Sequence, residues 1–392
     1  MPTPIIDIDA IAAQVQDATG LSDFGESTWR EGAERLGEAL TSEANLTELG
    51  AAIAGGDYAA YLTSRLRLTE AHRLDPTLAV ADVVPPIVIL GQPRTGTTIL
   101  FDLLAQDPEH RVPLTWEVDE PFPAPETATY ETDERIAASQ ARSDASELLI
   151  PGFLSMHAMG ARLGQECVRI TGGDFRSMIF PTQWRVPSYH DWLHHEADLS
   201  STYRYHRRFL QHLQSRHAKP RWLLKSPAHL WSLAELMAEY PGALVVQTHR
   251  DPVRIISSLG SLVTLLRSMS ADEAPISEAA QEFADVIIDG LDRGLAARRD
   301  GTIRPDRIVD VHFADFRSDP MATVGVIYDR LGIPLSAQAE SRMRTFLAAN
   351  PREKHGDHRY RFADTGLDVD EIRARSKGYC DHFDVPEEEI PA

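Results

Sequence analysis

The sequence predicts an α/β fold: a three-layer structure with a parallel sheet between helices, capped by helices from the N-terminal region. Three observations carry this. Short apolar runs of the buried-strand type, Ile87-Val88-Ile89-Leu90, Trp222-Leu223-Leu224 and Ala243 to Thr248, each lead toward a helical stretch. Strands that alternate with helices imply βαβ units and a sheet covered on both faces. Residues 1 to about 82 show apolar residues at helical intervals with no strand alternation.

Taken in order, residues 23–40 and 46–72 read as helices of a cap covering residues 1–84, and Pro85-Pro86 separates it from an α/β domain over residues 85–392. Residues 97–106 are apolar at helical spacing, residues 107–125 read as loop, and residues 130–149 as helix. Residues 185–217 are aromatic-rich and mostly helical. A second unit follows: a strand over 222–224, a helix over 229–239 and a strand over 243–248. Asp251-Pro252 opens the next helix, because Asp is a good N-cap and Pro suits the first turn. Residues 307–313 read as a further strand, and Asp319-Pro320 repeats the opening signal. The acidic tail after Asp381 reads as frayed.

Composition narrows the function. The chain has 392 residues and a net charge of −20, from 39 Lys and Arg against 59 Asp and Glu. This argues against a general nucleic-acid binder, whose affinity rests on neutralising phosphates. It does not exclude an anionic ligand, because a few basic groups in one cleft create a local positive field. Cys167 and Cys380 have no metal or disulfide spacing and read as structural thiols in a reducing compartment. There is no H-E-x-x-H, no EF-hand loop and no Cys cluster, so no metal is expected. The start lacks signal-peptide features, and the longest apolar window, around 83–90, is broken by Pro85 and Pro86. A soluble cytoplasmic protein is expected; peripheral membrane contact and homo-oligomerisation stay open.

The strand-loop-helix over residues 87–106 is the main candidate site. A helix N-terminus offers free N–H groups and partial positive charge to an anion. Gly91 and Gly96 let the backbone curl around it, and Thr97 and Thr98 add hydroxyl donors. The spacing is that of a Walker A loop, but Thr97 stands where the Lys belongs, and the basic residue is Arg94 inside the loop. A donor without a γ-phosphate would not need that Lys.

The run Pro93-Arg94-Thr95-Gly96-Thr97-Thr98 resembles the 5′-phosphosulfate loop of sulfotransferases that use 3′-phosphoadenosine-5′-phosphosulfate (PAPS). The resemblance implies a P-loop nucleotide-hydrolase-like sheet, with Arg94, Thr95, Gly96, Thr97 and Thr98 holding the 5′-phosphosulfate. In the same family an Arg at a strand end and a Ser eight residues on hold the donor's 3′-phosphate. Here these are Arg250, in Thr248-His249-Arg250-Asp251-Pro252, and Ser258. Ser258 would lie about two helical turns on, facing back toward the strand end, and Arg gives phosphate a forked, permanently charged contact. Pairing of Arg250 with an acidic neighbour is the competing reading when that motif is taken alone. Residues 222–230, with Lys225-Ser226-Pro227-Ala228-His229-Leu230, resemble the L-K-S-P-x-H-L segment of the bacterial, mycobacterial-type branch. Lys225 would stabilise charge on the transferring group. Lys354 and His358 are carried over from a loose late match around residues 352–367.

The acceptor hydroxyl needs a base. The resemblance points to a His or to a Glu after the first helix. Glu117 is the first choice, with Trp116 to shield it and raise its pKa; Glu166 is second, and His190 and His157 remain candidates. Aromatic and Met residues over 153–159 and 175–192 are read as core or as the wall of an apolar pocket. The acceptor is expected to be a small hydrophobic alcohol, phenol or lipid, since the acidic chain would repel a polyanion. Two other classes compete: a P-loop kinase or NTPase, and a catalytically silent nucleotide-binding protein. His249-Arg250-Asp251 is no kinase catalytic loop, because Ile256 stands where the Asn belongs.

Overall fold

A computed structural model describes residues 5–149, 159–350 and 361–390. Five strands form one sheet, β1 (Ile87–Gly91), β2 (His110–Arg111), β3 (Arg221–Lys225), β4 (Leu244–His249) and β5 (Ile308–His312), in the order β2-β3-β1-β4-β5. Every pairing is parallel: Ile87 lies beside Leu223 of β3 and Leu244 of β4, and Val245 beside Ile308. The strand alternation explains the three layers. Ile87 and Ile89 pack with Leu100, Phe101, Leu104 and Tyr328 on one face, while Val88 and Leu90 pack with Tyr203, Leu210 and Trp231 on the other.

The reading of residues 107–125 as loop is corrected at two places. His110–Arg111 is an edge strand beside Arg221 and Trp222, and Thr115–Asp119 is a short helix. The pair carries no apolar signal because its polar side chains are buried and satisfied from elsewhere. His110 Nδ1 donates to the Leu104 carbonyl at 2.8 Å, and Arg111 Nε to that of His217 at 3.0 Å.

Helices Ile8–Thr19, Trp29–Ser42 and Glu48–Leu74 form the N-terminal region. Trp29, Leu36, Tyr58 and Leu62 share one core with Phe175, Phe180, Trp184, Tyr189 and Trp192. The aromatics of 175–192 are therefore core, while Met178 of the same stretch lines a cavity; most of the companion stretch, 153–159, lies outside the described residues. Buried Arg65 ties these parts together, meeting Asp174 at 3.1 Å, while Asp174 also accepts from Ser201 and Thr202.

Both predicted helix openings are present. Asp251 accepts from Val253 N–H, and Asp319 from Ala322 N–H, each at 2.9 Å; a cap of this kind contributes about 1 kcal/mol. The carboxyl ends of β1, β3 and β4 lie side by side where β1 separates the strands leading each way, the place where open α/β sheets bind ligands.

Candidate active site

The loop leaving β1 is held in a shape that most residues resist. Gly91, Arg94 and Gly96 all have positive φ, at 134°, 67° and 89°. A Cβ on Gly91 would collide with the Thr248 backbone of β4, and one on Gly96 would come within 3.0 Å of the Phe313 ring. Only glycine fits both the backbone and the space there. Arg94 takes a conformation that costs a non-glycine residue free energy and persists only where the surroundings impose it. Thr95 supplies part of that constraint: its buried hydroxyl donates to Gln92 O at 2.6 Å and meets Thr248 Oγ1 at 2.5 Å. Its side chain thus braces the loop. Thr97, also buried, begins the helix Thr97–Leu104, whose N-terminus faces the loop.

Three elements meet on one side of the loop. Arg94 Nε donates to Ser258 Oγ at 3.0 Å, and Arg250 Nη1 donates to the Arg94 carbonyl at 2.9 Å. The Arg250 guanidinium lies 4.2 Å from the centre of the Phe313 ring. It also grips Glu388 through Nε at 2.8 Å and Nη2 at 3.0 Å. Over residues 382–390 the tail is therefore packed where the sequence reads as frayed, a correction. The helix Val369–Phe383 runs on to Phe383, Asp384 turns the chain at φ 51°, and Val385 is buried again.

On the other side, Lys225 at the end of β3 is almost fully buried. Its Nζ donates to Thr98 Oγ1 at 3.3 Å and pairs with Glu166 Oε1. Glu166 precedes the helix Cys167–Thr171 and its side chain is 20% exposed, so the carboxylate is reachable. Sequence reasoning missed Asp102. It lies one turn after Thr98, on the same helical face. Burial pushes its carboxyl up to about 6, against the opposing pull of Lys225. The signal was that i, i+4 spacing. Burial also pushes the neighbouring Cys167 thiol up to about 12, which suits an inert structural residue.

Glu117 belongs elsewhere. It is fully buried, and Arg111 grips both its oxygens at 2.6 and 2.8 Å, while Leu114 N–H donates to it at 2.9 Å. Trp116 does not shield a free carboxyl; it packs on Tyr130 and Arg135. In this arrangement Arg111 holds both oxygens of Glu117, which has no exposed surface, so Glu166, the second choice, is the carboxylate that lies beside Lys225. His190 is buried too and meets Glu282 at 3.2 Å, which itself pairs with Arg267. His157, Lys354 and His358 lie outside the described residues. Among the described residues no group of three or more His, Cys, Asp and Glu is placed to hold a metal ion. None of the described helices is long and apolar enough to cross a membrane.

A five-stranded parallel sheet with a Gly-bounded loop between its central strand and a helix N-terminus defines an α/β protein of the P-loop-like fold. The chain belongs to the sulfotransferase family, whose pattern residues 85–337 match, and it is an enzyme of that class. Solved structures agree over nearly the whole chain. Sulfotransferase STF1 from Mycobacterium tuberculosis H37Rv superposes with a TM-score of 0.85 at 32% identity, covering 96% of this chain and 99% of that one. Sulfotransferase STF9 from Mycobacterium avium gives 0.88 at 30% identity, covering 96% and 97%. Among curated relatives, the omega-hydroxy-beta-dihydromenaquinone-9 sulfotransferase Stf3 of Mycobacterium bovis is 26% identical over 269 residues, 67% of each chain.

Proposed function

We propose that this protein transfers a sulfuryl group from PAPS to a hydroxyl on a hydrophobic, lipid-like acceptor, with Glu166 as the base. The observation that carries this is the meeting of Arg94, Ser258 and Arg250 on one side of the loop with Thr98, Lys225 and Glu166 on the other. Two basic seats suit a nucleotide phosphorylated at both ends. The Walker Lys is replaced by Thr97, which disfavours a γ-phosphate donor.

The donor supplies an activated sulfuryl group. Arg94, Thr97, Thr98 and the helix N-terminus hold its 5′ end, and Arg250 with Ser258 its 3′-phosphate. Lys225 sets a positive charge beside the transferring group, where charge grows during transfer. Glu166, held beside Lys225 and partly open to solvent, takes the acceptor's proton.

For the acceptor, a cavity of about 80 Å³ supports the reading; its wall includes Cys167, Leu193, Tyr203, Ser226, His229 and Trp231. Cys167 and Ser226 directly follow Glu166 and Lys225 in the chain, although neither Glu166 nor Lys225 lines the cavity itself. Burial pulls the His229 imidazole down to about 3, so this part of the wall is neutral at physiological pH. Arg176, Glu235 and Arg293 also line the cavity, so it is the part walled by Cys167, Leu193, Tyr203 and Trp231 that suits an uncharged alcohol. The lipid substrate in the name of the Mycobacterium bovis relative points the same way.

The product PAP should raise the melting temperature without added metal, and Arg250→Ala should weaken PAP roughly tenfold more than adenosine 5′-phosphosulfate, which has no 3′-phosphate. Calorimetric titration of both ligands checks this. Equal losses would remove Arg250 from the 3′-phosphate seat, and stabilisation by ATP in place of PAP would favour a kinase. Radiolabelled PAPS with long-chain prenyl alcohols, phenols and polysaccharides then tests the acceptor; labelling of the polysaccharide alone would overturn the lipid reading.

A further inference from the structure

Arg250 is not waiting empty-handed. Glu388 presents two carboxylate oxygens to Nε and Nη2 of Arg250, at 2.8 and 3.0 Å, the forked contact that a phosphate would otherwise take. Arg254, one turn further along the helix Pro252–Arg267, reaches the same carboxylate at 3.7 Å. The Glu388 N–H donates to Asp251 Oδ2 at 2.8 Å, so the tail is also bound to the cap of that helix. Its path is fixed on both sides. Val385 is buried, with its N–H on Cys380 O at 3.0 Å, Glu387 pairs with Arg373 at 3.0 Å, and Ile390 packs against the neighbouring helices.

We propose that residues 385–390 form a displaceable latch, in which the Glu388 carboxylate fills the seat of the donor's 3′-phosphate in the resting protein and must leave when the donor binds. The inference rests on the reading that Arg250 holds that phosphate. The Glu388 side chain is 28% exposed, so its carboxylate is open to solvent and to a competing anion. A phosphate carries more charge than the carboxylate and brings the whole nucleotide's contacts with it, so it displaces the tail. A nucleotide without a 3′-phosphate has nothing to put in that seat and leaves the tail where it is. The latch thus lowers affinity for the proper donor by the fraction of molecules already open, and it ties opening of the seat to the 3′-phosphate.

Two measurements on the full chain test this. Glu388→Gln should bind PAP roughly fivefold tighter and change adenosine 5′-phosphosulfate affinity less than about twofold. In the unsubstituted protein, hydrogen exchange of the amides over residues 385–390 should accelerate when PAP is added and stay unchanged with adenosine 5′-phosphosulfate. Unchanged or weaker PAP binding by Glu388→Gln, or a tail as protected with saturating PAP as without it, overturns the latch. Arg250→Ala separates this from failure of the underlying reading. If it weakens both ligands equally, the 3′-phosphate seat itself is misplaced. If it weakens PAP selectively while Glu388→Gln does nothing, the seat stands and the latch falls.

Discussion

Glu166→Gln should cut turnover about 10²–10⁴-fold while leaving PAP affinity nearly unchanged, the range expected when a positioned base is lost. The amide keeps the shape of the side chain and can still accept from Lys225 Nζ, so the buried ammonium is not stranded. What it cannot do is take a proton. Lys225→Ala should also slow turnover, but it removes charge beside the loop and so should weaken PAPS as well. The two variants therefore differ in binding even where they agree in rate. Asp102 is the rival, since its carboxyl sits at about 6 and lies on the face that carries Thr98. If Asp102 were the base, the rate would fall as pH drops through about 6, and Asp102→Asn would abolish that limb. Full activity in Glu166→Gln together with loss in Asp102→Asn would move the base to Asp102.

The loop after β1 was more legible in the sequence than the carboxylate proposed as the base, and the reason is physical. A phosphate loop needs glycine at fixed points, a helix start and a nearby cation, and all of these are local. Gly91, Arg94, Gly96 and the helix Thr97–Leu104 could be read in one short window, and the strands β1, β3 and β4 from apolar runs of a few residues. The base is not a local property. Glu117 and Glu166 are equally acidic in the sequence, and what separates them is which cation lies opposite. Arg111 stands in a strand too short to show a pattern, so its claim on Glu117 was invisible. Lys225, 59 residues from Glu166, reaches it only because β3 ends beside the start of the helix Cys167–Thr171. The tail misled for a similar reason. An acidic terminal run usually frays, and only the fold brings Arg250 and Arg254 within reach of Glu388. The bland alternative for Arg250, an acidic neighbour, was right about the contact, and the neighbour was 138 residues away.

Glu117→Ala should destabilise the protein by about 3–5 kcal/mol, the cost of breaking a buried ion pair from one side. Arg111 would stay buried with only the carbonyls of Val112 and His217 and the Tyr130 hydroxyl as partners, and none of these carries a compensating charge. The Leu114 N–H would lose its acceptor as well. Glu117→Gln keeps the shape and one acceptor oxygen, so its loss should be clearly smaller. Replacing both partners with apolar residues of similar volume, Arg111→Met with Glu117→Leu, should recover much of the stability, because no charge is then left without a partner. The rings of Tyr130 and Trp222, about 5 Å from the guanidinium, would pack on the methionine instead. Chemical denaturation of the three variants measures these differences, and the rate per folded molecule should match that of the unsubstituted enzyme in each. A Glu117→Gln protein that unfolds normally but turns over a hundredfold more slowly would return Glu117 to the chemistry and make its pairing with Arg111 a resting arrangement that the acceptor undoes.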